Sequence, residues 1–285
     1  MTTNLTRPTR PQTTVQVIER QSLSPHLVRL VLGGGDFDGP AFDAVAGSPF
    51  TDRYVKLFFA KPELGLEPPY DLEALRETLD PADLPVTRTY TVRSVDTVAR
   101  TISLDFVVHG DEGLAAPWAR SAEPGDRITF RGPGGAYAPD ADADWHLFAG
   151  DLSALPAIAS ALEALPAHAT GLAFVTVEND DDVIPLDAPE GVTVNWLVRD
   201  AADAAEGPDP TGDLARALAE EPWPEGRPQI FAHGERESMK ALRALFSARG
   251  VARDQLSLSG YWALGRTEDR FQAEKREPIG RIEPV

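Results

Sequence analysis

The chain contains no cysteine. That absence excludes disulfides, thiolate metal sites, cysteine-ligated iron–sulfur clusters and a cysteine nucleophile. Histidine is sparse as well: His26, His109, His146, His168 and His233 stand apart, with no pair at a metal-binding spacing, so no built-in metal is expected. Positive charge is short. The 27 basic residues against 45 acidic ones leave a net charge of −18, a field that repels nucleic acid and anionic membrane surfaces. Long apolar runs are missing too, none approaching the roughly 20 residues of a membrane span. The opening MTTNLTRPTRPQ lacks the apolar centre of a signal peptide. The expected location is cytoplasmic, without membrane insertion. Any redox chemistry then needs an organic cofactor.

What is present divides in two. A length of 285 residues with 42% hydrophobic content predicts two domains with real cores. Six alternating segments fill the first half: TTVQVIE (13–19), HLVRLVL (26–32), YVKLFFA (54–60), RTYTVRS (88–94), TISLDFVVHG (101–110) and DRITFRG (126–132). Their spacing predicts a small closed antiparallel β-barrel over 1–135. LEALRETL reads as a short surface helix before Pro81. After the Gly/Pro/Asp-rich stretch 132–144, strands alternate with helices: WHLFAG (145–150), a helix over 153–165, LAFVTVE (172–178), VTVNWLV (192–198), PQIFAHG (228–234), a helix over 237–250 and LSLSGYW (256–262). That alternation predicts an open parallel α/β domain over 136–265. Residues 200–213 read as an acidic loop. The remainder, 266–285, reads as a tail with a polar helix over 266–278.

A barrel followed by an α/β domain suits a flavoprotein, the barrel holding a flavin and the second domain bringing a nicotinamide. In RTYTVRS, alternation places Arg88, Tyr90 and Val92 on one face. An arginine can neutralise a phosphate bidentately, and a tyrosine two residues on can lie against a ribityl chain or flat ring. Thr91 stands at the same level, within reach of a ring heteroatom. The plain alternative is an ordinary strand with Arg88 facing solvent. VVHGDEGLAAPWA (107–119) ends a strand and opens a helix with small residues, an arrangement suited to a diphosphate. Its candidate contacts are Val107, His109, Gly110, Gly113, Leu114, Ala115 and Ala116; a simple strand–helix connection is the alternative.

The nicotinamide side follows the same logic. LFAGDLSALPAI occupies the first strand–helix crossover, where nucleotide phosphates bind, although it lacks G-x-G-x-x-G. Gly150, Asp151, Ser153 and Ala154 are the candidates there, and Asp151 or Ser153 would equally serve as a helix cap. VTVENDDDVIP carries Glu178, Asp180, Asp181 and Asp182 at the end of the second strand, with no arginine or lysine among them. An acid there bonds a ribose hydroxyl, so Glu178 and Asp180 predict NADH over NADPH. His233, Gly234 and Glu235, and then Tyr261 and Trp262, end the last strands and are candidates for facing the nicotinamide and the flavin. Core packing is the alternative for Trp262.

These stretches together, with LSPHLVRLVLGG, YVKLFF, PGDRITFRGPGG, GERESMKALR and GYWALGRTEDRFQAEK, resemble siderophore-interacting proteins, which are flavin-dependent ferric-siderophore reductases. The resemblance runs almost end to end. It implies a ferredoxin-reductase-like fold with FAD in the barrel, Arg88, Tyr90 and Thr91 in the flavin motif, and His109 to Trp118 at the diphosphate. It implies nicotinamide contacts at Gly150 to Ile158 and His233 to Glu235. It also implies a cationic edge for the ferric siderophore, to which Lys56 corresponds. The chain departs from the family at Ala116, Leu152–Ser153, Gly134 and Ala263. The last two replace arginines, and Arg53, Arg131 and Arg266 are the candidates to compensate. The implied activity is NAD(P)H-dependent reduction of a ferric siderophore, releasing Fe(II). A flavin reductase with another acceptor, or a flavin- or siderophore-binding module without turnover, are the alternatives.

Overall fold

Alternation of β-branched and apolar residues with polar ones builds the first domain. In the computed structural model, which describes residues 11–108, 110, 113–199 and 213–282, six antiparallel strands close on themselves. They are β1 (Gln12–Ser24), β2 (Leu27–Gly33), β3 (Tyr54–Phe59), β4 (Val86–Asp96), β5 (Thr101–Val107) and β6 (Arg127–Gly134). Their order around the barrel is β1-β2-β5-β4-β3-β6, which leaves no open edge. Val15, Leu30, Leu57, Leu104 and Phe130 fill the interior. Helix α1 (Pro40–Ala46) caps one end; two turns are too short to carry a periodic signal. Its Phe42 meets Phe37 edge-on at 5.1 Å, and Phe37 meets Phe130 at 5.8 Å. Helix α2 (Leu72–Thr78) is the expected surface helix, capped by the Asp71 carboxylate. Helix α3 (Ala115–Ser121) follows β5.

The second domain is a five-stranded parallel sheet of β7 (Trp145–Asp151), β8 (Thr170–Val177), β9 (Gly191–Val198), β10 (Pro228–Glu235) and β11 (Leu256–Trp262), in the order β11-β10-β7-β8-β9. Helix α4 (Leu155–Ala164) packs on one face, and α5 (Asp213–Glu220) and α6 (Arg236–Ala248) on the other. The chain reverses its direction of growth between β7 and β10, and the carboxyl ends of those two strands are where such sheets bind ligands. Helix α5 was not expected, because its apolar stripe is only two turns long. The expected loop over 200–213 lies, except for Asp213, outside the described residues. The polar terminal helix is shorter than expected: α7 spans Glu268–Glu274, started by the Thr267 hydroxyl accepting from the Arg270 N–H. Among the described residues no helix is long and apolar enough to cross a membrane.

The two domains are joined by polar struts. Asp182, fully buried after β8, accepts from the Ser24 hydroxyl at 2.7 Å and faces His26 Nδ1 at 2.7 Å, both in the β1–β2 hairpin. On the other side Arg93 of β4 pairs with Glu163 of α4. Burial pushes the Asp182 carboxyl up, but the hydrogen bonds from His26 and Ser24 outweigh it and hold it below the usual carboxylate range. Its contribution is therefore full above the ordinary carboxylate pKa and is lost as pH falls through the depressed folded value. Asp182→Ala is expected to cost about 2 kcal/mol, since it strands a buried hydroxyl and an imidazole. Thermal melting at pH 7 should fall by roughly 5 °C, and the gap should narrow as pH falls below the ordinary carboxylate range. A variant that melts with the parent at pH 7 would show that this strut carries nothing.

Candidate functional site

The flavin side grows from β4. Cross-strand pairing sets Arg88 opposite Leu57 and Tyr90 opposite Val55, two buried residues of the interior. Tyr90 leans on Phe106, with ring centres 4.2 Å apart, and Phe106 lies 5.9 Å from Trp118 on α3. The aromatic run thus brings the RTYTVRS strand beside the stretch that follows β5. Burial pushes the Tyr90 phenol up, so it stays a neutral ring at ordinary pH. Arg88 is not loose in solvent. Its guanidinium binds the Asp269 carboxylate of α7 at 3.0 and 3.3 Å. Asp269 itself is 68% exposed, a counter-ion that another anion can replace.

Beyond β5, Gly110 and Gly113 adopt left-handed conformations, φ 53° and 85°, and the space around Gly113 is open. Arg120 fixes the turn by donating to the Gly110 carbonyl at 2.6 Å. Helix α3 opens at Leu114 without a side-chain cap, leaving backbone N–H groups for an outside acceptor. Leu114 is exposed, Ala115 buried and Ala116 half-buried, while Val107 packs toward the α/β domain. His109 lies outside the described residues. A half-buried guanidinium with a replaceable partner, uncapped N–H donors and an apolar phenol face are the groups a flavin dinucleotide requires, so the residues present fit FAD.

Thr91 points the other way, to the outside of the barrel. It is buried, two residues before Arg93, whose carbonyl accepts from the Ser160 hydroxyl of α4 at 2.8 Å. This bond ties β4 to α4.

The crevice at the carboxyl ends of β7 and β10 is organised by Asp151. One carboxylate oxygen accepts from the Ser153 N–H at 2.8 Å and from its hydroxyl; the other accepts from the Glu235 N–H at 2.9 Å and the Trp262 indole N–H at 2.8 Å. Helix α4 begins at Ala154 with no side-chain cap, so neither Asp151 nor Ser153 takes that role. Gly150 is required for close approach: a Cβ there would stand 2.5 Å from the His233 carbonyl oxygen and 2.8 Å from the Ala154 Cβ. Gly234 is equally pressed, by Asp151. His233 turns away from the crevice. Its ring stacks on Phe231 at 3.9 Å, meets Tyr261 at 4.9 Å and bonds Ser257 at 3.0 Å. Burial, helped by Lys275, pushes it down to about 3, so it is a neutral packing element. Glu235 caps α6 through the Glu237 and Ser238 N–H groups and accepts from Leu264 N at 3.0 Å. Trp262 keeps 38% exposure beside Asp151 and is the aromatic surface open to a ligand.

The acids after β8 separate. Asp182 is the interdomain strut. Glu178 pairs with Arg199 at 3.1 Å, and Asp180 and Asp181 remain exposed. Among the four substrate candidates, Lys56 and Arg131 are direct cross-strand neighbours on β3 and β6. Lys56 is exposed, and Arg131 lies 5.0 Å over the Phe58 ring. Arg53 turns inward, donating to the Phe50 carbonyl at 2.9 Å, and burial lowers its pKa. Arg266 joins a cage. Glu274, buried at the end of α7, accepts from Arg236 at 2.6 Å, Arg270 at 2.7 Å and Arg266 at 2.9 Å. Those three arginines, Arg236 first, hold its carboxyl down to about 2. The cage seats α7 against α6. Asp269, Glu274, Lys275 and Arg199 are therefore residues that sequence reasoning passed over. Only Arg199 left a signal, one step past an expected strand end.

Comparison with known proteins agrees with this fold. The family profile described as siderophore-interacting FAD-binding domain matches residues 16–137, and that described as siderophore-interacting protein matches residues 143–265. An uncharacterized protein of Mycobacterium tuberculosis is 45% identical over 94% of this chain and 96% of its own. Ferric vibriobactin reductase ViuB of Vibrio cholerae is 33% identical over 90% and 92%, and the NADPH-dependent ferric-chelate reductase of Escherichia coli 30% over 86% and 91%. Among solved structures, a siderophore utilization protein from T. fusca superposes with a TM-score of 0.74 at 34% identity, covering 90% of this chain and 94% of that one. A ferredoxin NADP+ reductase from Neisseria gonorrhoeae, at 14% identity and a TM-score of 0.59 over 88% and 99%, shares the fold.

Proposed function

Because the chain belongs to the siderophore-interacting protein family, we propose that it reduces ferric siderophores with electrons from a nicotinamide dinucleotide, in the cytoplasm, through FAD held by the barrel. The observation that carries this reading is the fastening of β4 to α4, where the Ser160 hydroxyl donates to the Arg93 carbonyl at 2.8 Å and the Arg93 guanidinium pairs with Glu163. It sets the strand bearing Arg88 and Tyr90 against the helix that begins beside the β7–β10 crevice. Arg88 and the N–H groups at the start of α3 would hold the diphosphate, and Tyr90 would lie along the ribityl chain or ring. Bound FAD supplies the conversion of a two-electron donor into one-electron deliveries. The overall balance is one hydride for two ferric complexes, with one proton released. Gly150, the N–H groups at the start of α4 and the exposed face of Trp262 would position the dinucleotide. Lys56 and Arg131 give the barrel edge a cationic patch in a chain of net charge −18, where an anionic ferric complex would dock.

The test is an absorption spectrum of the purified protein followed by anaerobic titration with NADH and NADPH. The protein should be yellow, bleach with a dinucleotide and recover its colour on adding a ferric siderophore. A colourless protein that refuses added FAD overturns the reading. Recovery no faster with ferric siderophores than with a generic ferric chelate would move it to a flavin reductase of another acceptor.

A further inference from the structure

The carboxyl ends of β8 and β9 carry opposite charges placed face to face. Val177 and Val198 are register partners, so Glu178 and Arg199 emerge side by side as the strands end. The Arg199 N–H continues the ladder by donating to the Val177 carbonyl at 3.1 Å, and its guanidinium meets both Glu178 oxygens, at 3.1 and 3.3 Å. Two residues before Glu178, the Thr176 hydroxyl donates to the Gly150 carbonyl at 3.3 Å. The pair thus stands one strand from the crossover turn, where an open α/β sheet receives the adenosine ribose of a dinucleotide. A carboxylate there accepts a ribose hydroxyl and an arginine there accommodates a 2′-phosphate. This chain has both, and they neutralise each other.

Resting on the nicotinamide reading above, we propose that the Glu178–Arg199 pair selects between NADH and NADPH. With NADH, Glu178 accepts the ribose 2′-hydroxyl while Arg199 stays bound to it. With NADPH, Arg199 leaves Glu178 for the 2′-phosphate, and the freed carboxylate then repels that phosphate. The sequence expectation of NADH rested on acids alone; the ion pair makes the site ambivalent, with the preference set by how firmly Glu178 holds Arg199. Glu178 is 57% exposed and Arg199 27%, so the pair is not needed to hold the fold and both can be replaced in a folded protein.

The two single substitutions should act in opposite directions. Glu178→Gln releases the guanidinium and should raise the NADPH-to-NADH ratio of kcat/KM about tenfold, the size of one charge-assisted contact. Arg199→Gln should lower the same ratio about tenfold. Calorimetry with adenosine 2′,5′-bisphosphate and with 5′-AMP gives a readout that needs no flavin. Relative to the parent, Arg199→Gln should lose affinity for the bisphosphate alone, and Glu178→Gln should gain it. If both fragments bind and neither substitution changes their ratio, this inference falls and the nicotinamide reading stands. If neither fragment binds and neither dinucleotide reduces the protein, the reading itself falls and the inference with it.

Discussion

Asp151→Ala is expected to disable the nicotinamide side and to lower the stability of the second domain by about 3 kcal/mol. Four donors converge on this carboxylate: the Ser153 N–H and hydroxyl, the Glu235 N–H and the Trp262 indole. They come from the ends of β7, β10 and β11. One side chain therefore sets the relative position of the three strand ends that frame the crevice. Removing it leaves the Glu235 N–H, in a residue only 4% exposed, with no acceptor. Reduction by a dinucleotide should fall about 100-fold, because displacing a binding surface by an ångström costs that much. Trp262 fluorescence should shift to the red as the indole is released. Asn is no remedy, since its amide must turn a donor toward two donors on one side or the other. Unchanged melting together with an unchanged rate of reduction would show that Asp151 organises nothing.

The barrel was legible because its strands have one face in a single core: alternation alone assigns Val55, Leu57, Tyr90 and Val92 to the interior. The parallel sheet was legible because its strands are apolar on both faces and helices separate them. What sequence periodicity does not carry is the covering of one domain by the other. Thr91 sits on the outer face of β4, yet it is buried, on the strand that Arg93 fastens to α4 of the second domain. Asp182 looked like its acidic neighbours but is the fully buried one, since a hairpin 156 residues earlier supplies its partners. His233, a strand-end histidine, looked available to a ligand; its place on β10 next to Phe231 and Tyr261 instead stacks it into the sheet. The crossover turn was read correctly as a turn, but the fate of the Asp151 carboxylate depended on β10 and β11. Short helices such as α1 were invisible because two turns give too few positions for a period to show.

Arg88→Gln is expected to yield a protein that purifies nearly colourless, with FAD affinity lowered about 100-fold, the upper end for losing a bidentate guanidinium–phosphate contact. The rival account makes Arg88 a strut that merely fastens α7 through Asp269. Asp269→Asn separates the two. On the strut account both substitutions break the same bond, so both should loosen α7 alike and leave FAD affinity alike. On the phosphate account they diverge. Asp269 is the carboxylate that holds the guanidinium when no other anion does, at 3.0 and 3.3 Å. Neutralising it removes a competitor, so Asp269→Asn should bind FAD a few-fold more tightly, the effect one exposed ion pair can exert. Helix α7 should stay seated in both variants. Its anchor is Glu274, buried among Arg236, Arg270 and Arg266, while the hydrogen bonds of Arg88 among the described residues go to Thr87 and Asp269. Melting temperatures measured without FAD should then be nearly equal, while flavin titrations differ between the variants by more than two orders of magnitude. Equal flavin affinities would return Arg88 to a structural role and leave the diphosphate without its cationic partner.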